Sequence, residues 1–128
     1  MSYFHTFEEV QFTYDCLIQS SVISRVGDCI QYGSNPAKYS YTRKRMTPSR
    51  VVRESVHRIA LLVKMKVINI PKDLEASHLC HMPACINPEH MIAEPHEINQ
   101  SRIRCYNESG RLGYACCLRI HGQYPDCV

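Results

Sequence analysis

The sequence predicts an α+β chain whose thin core is stapled by metal ions. Three observations carry that expectation. Cysteine and histidine recur at ligand spacing in the second half of the chain, at Cys80, Cys85 and His90 and again from Cys105 onward. Residues 27–45 alternate like strands and are broken by glycine and by Asn35-Pro36. Val52, Val56, Ile59 and Val63 recur at spacings of four, three and four, the stripe of an amphipathic helix. At 128 residues the chain reads as one domain spanning 1–128. A domain of that size buries roughly two-thirds of its unfolded surface, so staples matter.

Eight Cys and seven His raise two explanations, a disulfide framework of a secreted protein or metal sites in a reducing compartment. Met1-Ser2-Tyr3-Phe4-His5 has no basic start followed by an apolar run, so no signal peptide is expected. Cys mixed with His then favours metal, and an intracellular setting, cytoplasmic or nuclear. The longest plain apolar run, residues 59–63, is too short to span a membrane.

Charge is unevenly spread. Residues 1–37 hold one basic and four acidic side chains, residues 38–66 nine and one, and residues 67–128 five and seven. The middle segment at +8 suits a polyanion, although most charge runs are merely solvated faces.

Taken in order, residues 11–18 read as a strand and Cys16 as a buried thiol. Residues 27–33 form a strand, Ser34-Asn35-Pro36 a turn, and residues 37–45 a second strand, giving a β-hairpin in a β-rich region 1–46. Period two sets Tyr39, Tyr41, Arg43 and Arg45 on one side and Lys38 and Lys44 on the other. Such a ribbon suits a DNA groove, and the plain alternative is an exposed hairpin resting on tyrosines. Thr47 as N-cap and Pro48 at the first helical position predict a helix over 48–64, within a helical region 47–66. His57 on that helix reads as a packing residue.

Ser77-His78-Leu79-Cys80-His81-Met82-Pro83-Ala84-Cys85-Ile86-Asn87-Pro88-Glu89-His90 is the chemical centre. Cys80, Cys85 and His90 are each separated by four residues, and Pro83 and Asn87-Pro88 keep the stretch a loop. Thiolate and imidazole donors suit tetrahedral Zn²⁺, which closes with four ligands, so a fourth comes from elsewhere. His78 is spare: it is either a catalytic group, a further zinc ligand or a buried hydrogen-bonded His. In the tail, residues 105–128, Cys117-x₃-His121-x₅-Cys127 with Cys105 reads as a second structural zinc site, with Cys116 competing with Cys117.

Ser77-His78-Leu79-Cys80-His81, Cys85, Asn87-Pro88, His90, Asn99, Arg102 and Cys105 resemble the box of the His-Cys box homing endonucleases, a branch of the ββα-metal (His-Me finger) nucleases. The resemblance implies a ββα-metal core over residues 74–105, following an N-terminal antiparallel β-sheet. Within it, residues 74–79 and 91–93 are strands and 95–104 a helix, so that His78 and Asn99 face one another across a cleft. It further implies His78 as general base, Asn99 as ligand of a catalytic Mg²⁺, and Arg45, with Arg43 close behind, at the scissile phosphate. Cys29 sits where the family takes its fourth ligand, with Cys16 as competitor. The expected activity is Mg²⁺-dependent hydrolysis of double-stranded DNA, with two structural zinc ions. A zinc module that binds nucleic acid without cutting it is the alternative. The chain stops soon after Cys127, short of the tail with which relatives embrace a second protomer, and this leaves a homodimer open.

Overall fold

The computed structural model describes residues 4–19, 21–23, 28–35, 39–47, 50–112 and 125. The chain is mixed helix and sheet, in the order α1 (Phe7–Gln19), β1 (Ser21–Ile23), β2 (Ile30–Tyr32), β3 (Tyr41–Thr47), β4 (Arg50–Ser55), α2 (Val56–Met65), β5 (Glu75–His78), β6 (Met91–Glu94) and α3 (His96–Leu112). The described strands pair antiparallel as β1–β2, β3–β4 and β5–β6.

The first segment departs from expectation. Residues 11–18 lie inside α1 and not in a strand. Val10, Thr13, Tyr14 and Leu17 are its buried residues, at spacings that one helix face requires. Thr13 hides that stripe from a hydrophobicity reading, because its hydroxyl donates to the Glu9 carbonyl at 2.8 Å and can be buried without loss. The start of α1 is capped by Thr6, whose Oγ1 accepts from the Glu9 amide at 3.3 Å. Glu9 reaches back to accept from the His5 amide at 2.7 Å, one residue ahead of the N-cap amide that a capping box would use.

The expected hairpin also has other partners. β2 pairs with β1, Ile23 opposite Ile30, and not with the described residues 39–45. β3 pairs with β4, Tyr41 opposite Ser55 and Arg43 opposite Arg53. Residues 50–55, expected as helix, are therefore strand, and the β-branched pair Val51-Val52 suits that state. The helix begins at Val56 behind Ser55, whose extended backbone (φ −68°, ψ 139°) marks the change. It ends at Lys66 in the left-handed region, where the Lys66 amide bonds to the carbonyls of Leu62 and Val63.

Val56, Ile59, Ala60, Leu61 and Leu62 of α2 are buried against Val10, Tyr14 and Leu17 of α1, with Ile86 and Met91 completing the core. Lys64 fixes α2 to β6 by donating to the Met91 carbonyl at 2.6 Å. β5 and β6 run in register from Glu75 opposite Glu94 to His78 opposite Met91, and α3 follows directly, longer than the expected 95–104. No helix among the described residues is long and apolar enough to cross a membrane.

Removing the α1 cap tests the helical start. Thr6→Ala is expected to cost about 1 kcal/mol and Thr6→Gly only a few tenths, read as the shift of the urea unfolding midpoint.

Candidate metal centre and adjoining cleft

Cys29, Cys80, Cys85 and His90 converge, with their ligand atoms all within 4.8 Å of one another. Cys29 and Cys85 lie 3.6 and 3.5 Å from His90 Nδ1. A tetrahedron with Zn–S near 2.3 Å and Zn–N near 2.05 Å has sulfur–nitrogen edges of about 3.6 Å. The donor set and its spacing therefore fit one zinc ion. Cys29 and Cys85 are buried and Cys80 is partly buried, all three as thiols and not cystines. Cys16 is outside the group.

The electrostatics of the bare cluster show why a dication belongs there. A hydrogen bond from Cys80 pulls the Cys85 thiol down to about 4. The same bond and then burial push Cys80 upward, while burial and the nearby Cys85 lift Cys29 to about 11. Without a cation only one of the three sulfurs carries charge comfortably. A central positive ion lowers all three.

Backbone pairing builds the loop onto the early sheet. The Ile86 amide donates to the Ile30 carbonyl at 2.8 Å and the Tyr32 amide to the Ala84 carbonyl at 2.9 Å, flanking a Gln31–Cys85 bridge. Asn87 Nδ2 donates to the Asp28 carbonyl at 2.8 Å, and its Oδ1 caps the short turn Pro88–His90 by accepting from the Glu89 amide. Tyr14 reaches from α1 to donate to the Ile86 carbonyl at 2.9 Å, and burial pushes its hydroxyl up to about 12.

His78, at the end of β5, is buried and stands outside the ligand group. Its Nε2 lies 3.0 Å from the Cys85 carbonyl oxygen. A carbonyl only accepts, so Nε2 carries the proton in the neutral ring and Nδ1 keeps a lone pair. Burial is the largest influence on this imidazole and holds it below its ordinary range. Its ring packs on His57 at 5.1 Å and on Tyr39 at 5.9 Å between centroids.

His78 and Asn99 line one cleft of about 150 Å³, with Tyr39, His81 and Arg102 also on its wall. Asn99 Oδ1 accepts from Ser77 Oγ at 2.7 Å, and its Nδ2 donates to Glu75 Oε1 at 2.6 Å. The α3 wall is anchored by Arg102, which forks onto Glu94 of β6 at 2.6 and 3.0 Å with both side chains buried. His81 takes a left-handed backbone (φ 59°) and stacks on Tyr106 at 4.7 Å. A broader hollow of about 530 Å³ adjoins, sharing Tyr39, Ala76 and Asn99 and adding Tyr41, Glu54, His57, Arg58 and Glu75.

The model of one protein family, described as the zinc-binding loop region of homing endonuclease, matches residues 18–128. The chain belongs to that family.

For a homing-endonuclease zinc-binding loop, the residues singled out from sequence fall into several groups. Cys29, Cys80, Cys85 and His90 meet, and His78 and Asn99 share the adjoining cleft. Tyr39 and Tyr41 are exposed, Tyr41 under the Arg53 guanidinium at 4.2 Å. For Arg43, Lys44 and Arg45 the strand register is described and the side chains are not. Lys38, Cys116, Cys117, His121 and Cys127 lie outside the described residues, and Cys105 is buried in α3. Sequence reading placed Ser77 in the motif without giving it a role and missed Glu75; their period-two spacing on β5 was the available signal. It gave His57 only a packing role. That ring does pack, but against His78 and Tyr39, and its Nδ1 is buried with no hydrogen-bond partner among the described residues.

Two outcomes follow from this geometry. Cys29→Ser should lower bound zinc below one ion at the loop site and sensitise the fold to chelator, whereas Cys16→Ser should leave both unchanged, measured by metal analysis and thermal melts. Burial, then His78 and Arg58, push His57 from 6.5 down to about 3. A depressed histidine must stay neutral in the fold, so its contribution is complete above 6.5 and is lost as pH falls from there towards 3. His57→Phe should therefore remove about 1.4 kcal/mol of stability loss per pH unit in that window, seen by comparing urea midpoints of the two proteins at pH 5 and 7.5.

Proposed function

We propose that the chain is a Mg²⁺-dependent endonuclease that hydrolyses phosphodiester bonds in double-stranded DNA, built on a ββα-metal core of β5, β6 and α3. The observation that carries this reading is the bond between His78 Nε2 and the Cys85 carbonyl, made by a ring that lines one cleft with Asn99. Binding nucleic acid alone needs neither a tautomer-fixed imidazole nor a carboxamide opposite it. A general base needs both a free lone pair and a neutral ring at working pH.

In this mechanism His78 Nδ1 takes the proton of the attacking water while Nε2–H stays on the loop carbonyl, which spreads the positive charge that develops on the ring. Asn99 Oδ1, with one lone pair used by Ser77, has a second for a cation. Bound Mg²⁺ would supply Lewis-acid stabilisation at the leaving oxygen, with phosphate and water completing its shell. Arg45, with Arg43 next in line, neutralises the scissile phosphate.

The basic ribbon supports a DNA partner. Its register pairs the position of Arg43 with that of Arg53, and a ribbon of this composition suits a polyanion. Lys38, Tyr39, Tyr41 and Lys44 are the further DNA-contacting residues of this reading. The loop zinc and a second one held by Cys105, Cys117, His121 and Cys127 are structural. Thiol ligands of this kind support an intracellular setting, cytoplasm or nucleus.

Incubation with supercoiled plasmid tests the proposal. The zinc-loaded chain should relax or linearise it with Mg²⁺ and not with EDTA at a concentration that spares zinc. His78→Ala should slow cleavage by roughly 10²–10⁴-fold with zinc content and DNA affinity retained. Binding without cutting by the parent chain would instead identify a non-catalytic zinc module.

A further inference from the structure

A carboxamide has two ends of nearly equal shape and opposite chemistry. Only the oxygen of Asn99 can meet a cation; its amide protons would repel one. Rotation of the group by half a turn would therefore disable the site without moving any other atom. The two contacts on Asn99 differ in how much they say about that choice. Ser77 Oγ, 2.7 Å from Oδ1, is a hydroxyl that donates or accepts, so it tolerates either orientation. Glu75 Oε1, 2.6 Å from the other end, belongs to a carboxylate that only accepts, so it tolerates one.

Glu75 and Ser77 are two residues apart on β5, which sets both on the strand face met by Asn99 from the first turns of α3. Asn99 Oδ1 is thereby held beside Ser77, the neighbour of His78, and its Nδ2 is held further back along the strand. Glu75 is itself braced by His96, whose Nδ1 lies 3.3 Å from both carboxylate oxygens. We infer that Glu75 is a positioning residue that fixes the orientation of the Asn99 carboxamide, keeping Oδ1 towards the His78 end of the strand. The inference rests on the nuclease reading for its purpose, but the orientation itself is measurable without any cleavage.

Two readouts test it on the full, zinc-loaded chain. In ¹H–¹⁵N spectra one Asn99 side-chain amide proton should be displaced to low field by the carboxylate. Glu75→Ala should abolish that displacement, Glu75→Gln should keep most of it through the glutamine carbonyl, and Ser77→Ala should leave it in place. In parallel, Mn²⁺ binding followed by electron spin resonance should weaken by roughly tenfold in Glu75→Ala, the loss of one charge-assisted hydrogen bond, and the Mg²⁺ needed for half-maximal plasmid cleavage should rise with it. Glu75→Gln should retain most of the parent's affinity. An unshifted Asn99 amide in the parent, or Glu75→Ala matching the parent in both readouts, overturns the inference. So does a loss in Glu75→Gln as large as in Glu75→Ala, which would make the negative charge and not the orientation decisive. Absence of Mg²⁺-dependent cleavage by the parent would sink the nuclease reading instead, leaving the amide spectrum to decide the role of Glu75.

Discussion

A short loop rich in proline and asparagine has little to hold it in one shape, yet the cleft beside α3 needs its walls fixed to a fraction of an ångström. The convergence of Cys29 with Cys80, Cys85 and His90 supplies that rigidity. One ligand comes from beside β2 and three from the loop, so a single ion held there would close a long stretch of chain and join the early sheet to β5 and β6. Zinc at such a site contributes on the order of 10 kcal/mol to folding, comparable to the whole net stability of a domain this size. The backbone bonds of Ile30 and Tyr32 to the loop, the Asn87–Asp28 tie and the Tyr14–Ile86 contact all radiate from this point.

The opposite wall depends on a different device. Arg102 and Glu94 are both buried, and each would be costly alone. Their two-pronged contact sets the roll of α3 against β6, and with it where Asn99 falls relative to β5. Hydrophobic packing is slippery along a helix axis. A forked ion pair is not.

What sequence reading reaches here follows the range of the interaction. Cys80, Cys85 and His90 are legible because ligands within one loop must be close in sequence, and the prolines between them exclude a helix. β5 and β6 are likewise short-range pairs. α1 was obscured by Thr13, a polar residue at a buried position, although Thr6 and Glu9 already carried a helix-start signal. Thr47-Pro48 is ambiguous by nature: the same pair opens a helix or leaves a strand, and only the pairing of β3 with β4 decides. Cys29 cannot be chosen over Cys16 from spacing, since the chain between Cys29 and the loop is long. Resemblance suggested it, and three-dimensional proximity now groups it with the others. The meeting of His57 with His78, and of Glu75 with Asn99, is a product of packing between distant elements and left no trace in local pattern.

Cys85 joins two duties in one residue: its sulfur belongs to the metal cluster and its carbonyl holds the His78 ring. A change in ion radius at the cluster would thus reach the imidazole through the atoms of one residue. A larger thiophilic ion such as cadmium, with longer bonds to sulfur, would displace the carbonyl on which the His78 ring rests. The identity of an ion held there would thereby bear on how the His78 ring is seated, a single residue away from the metal.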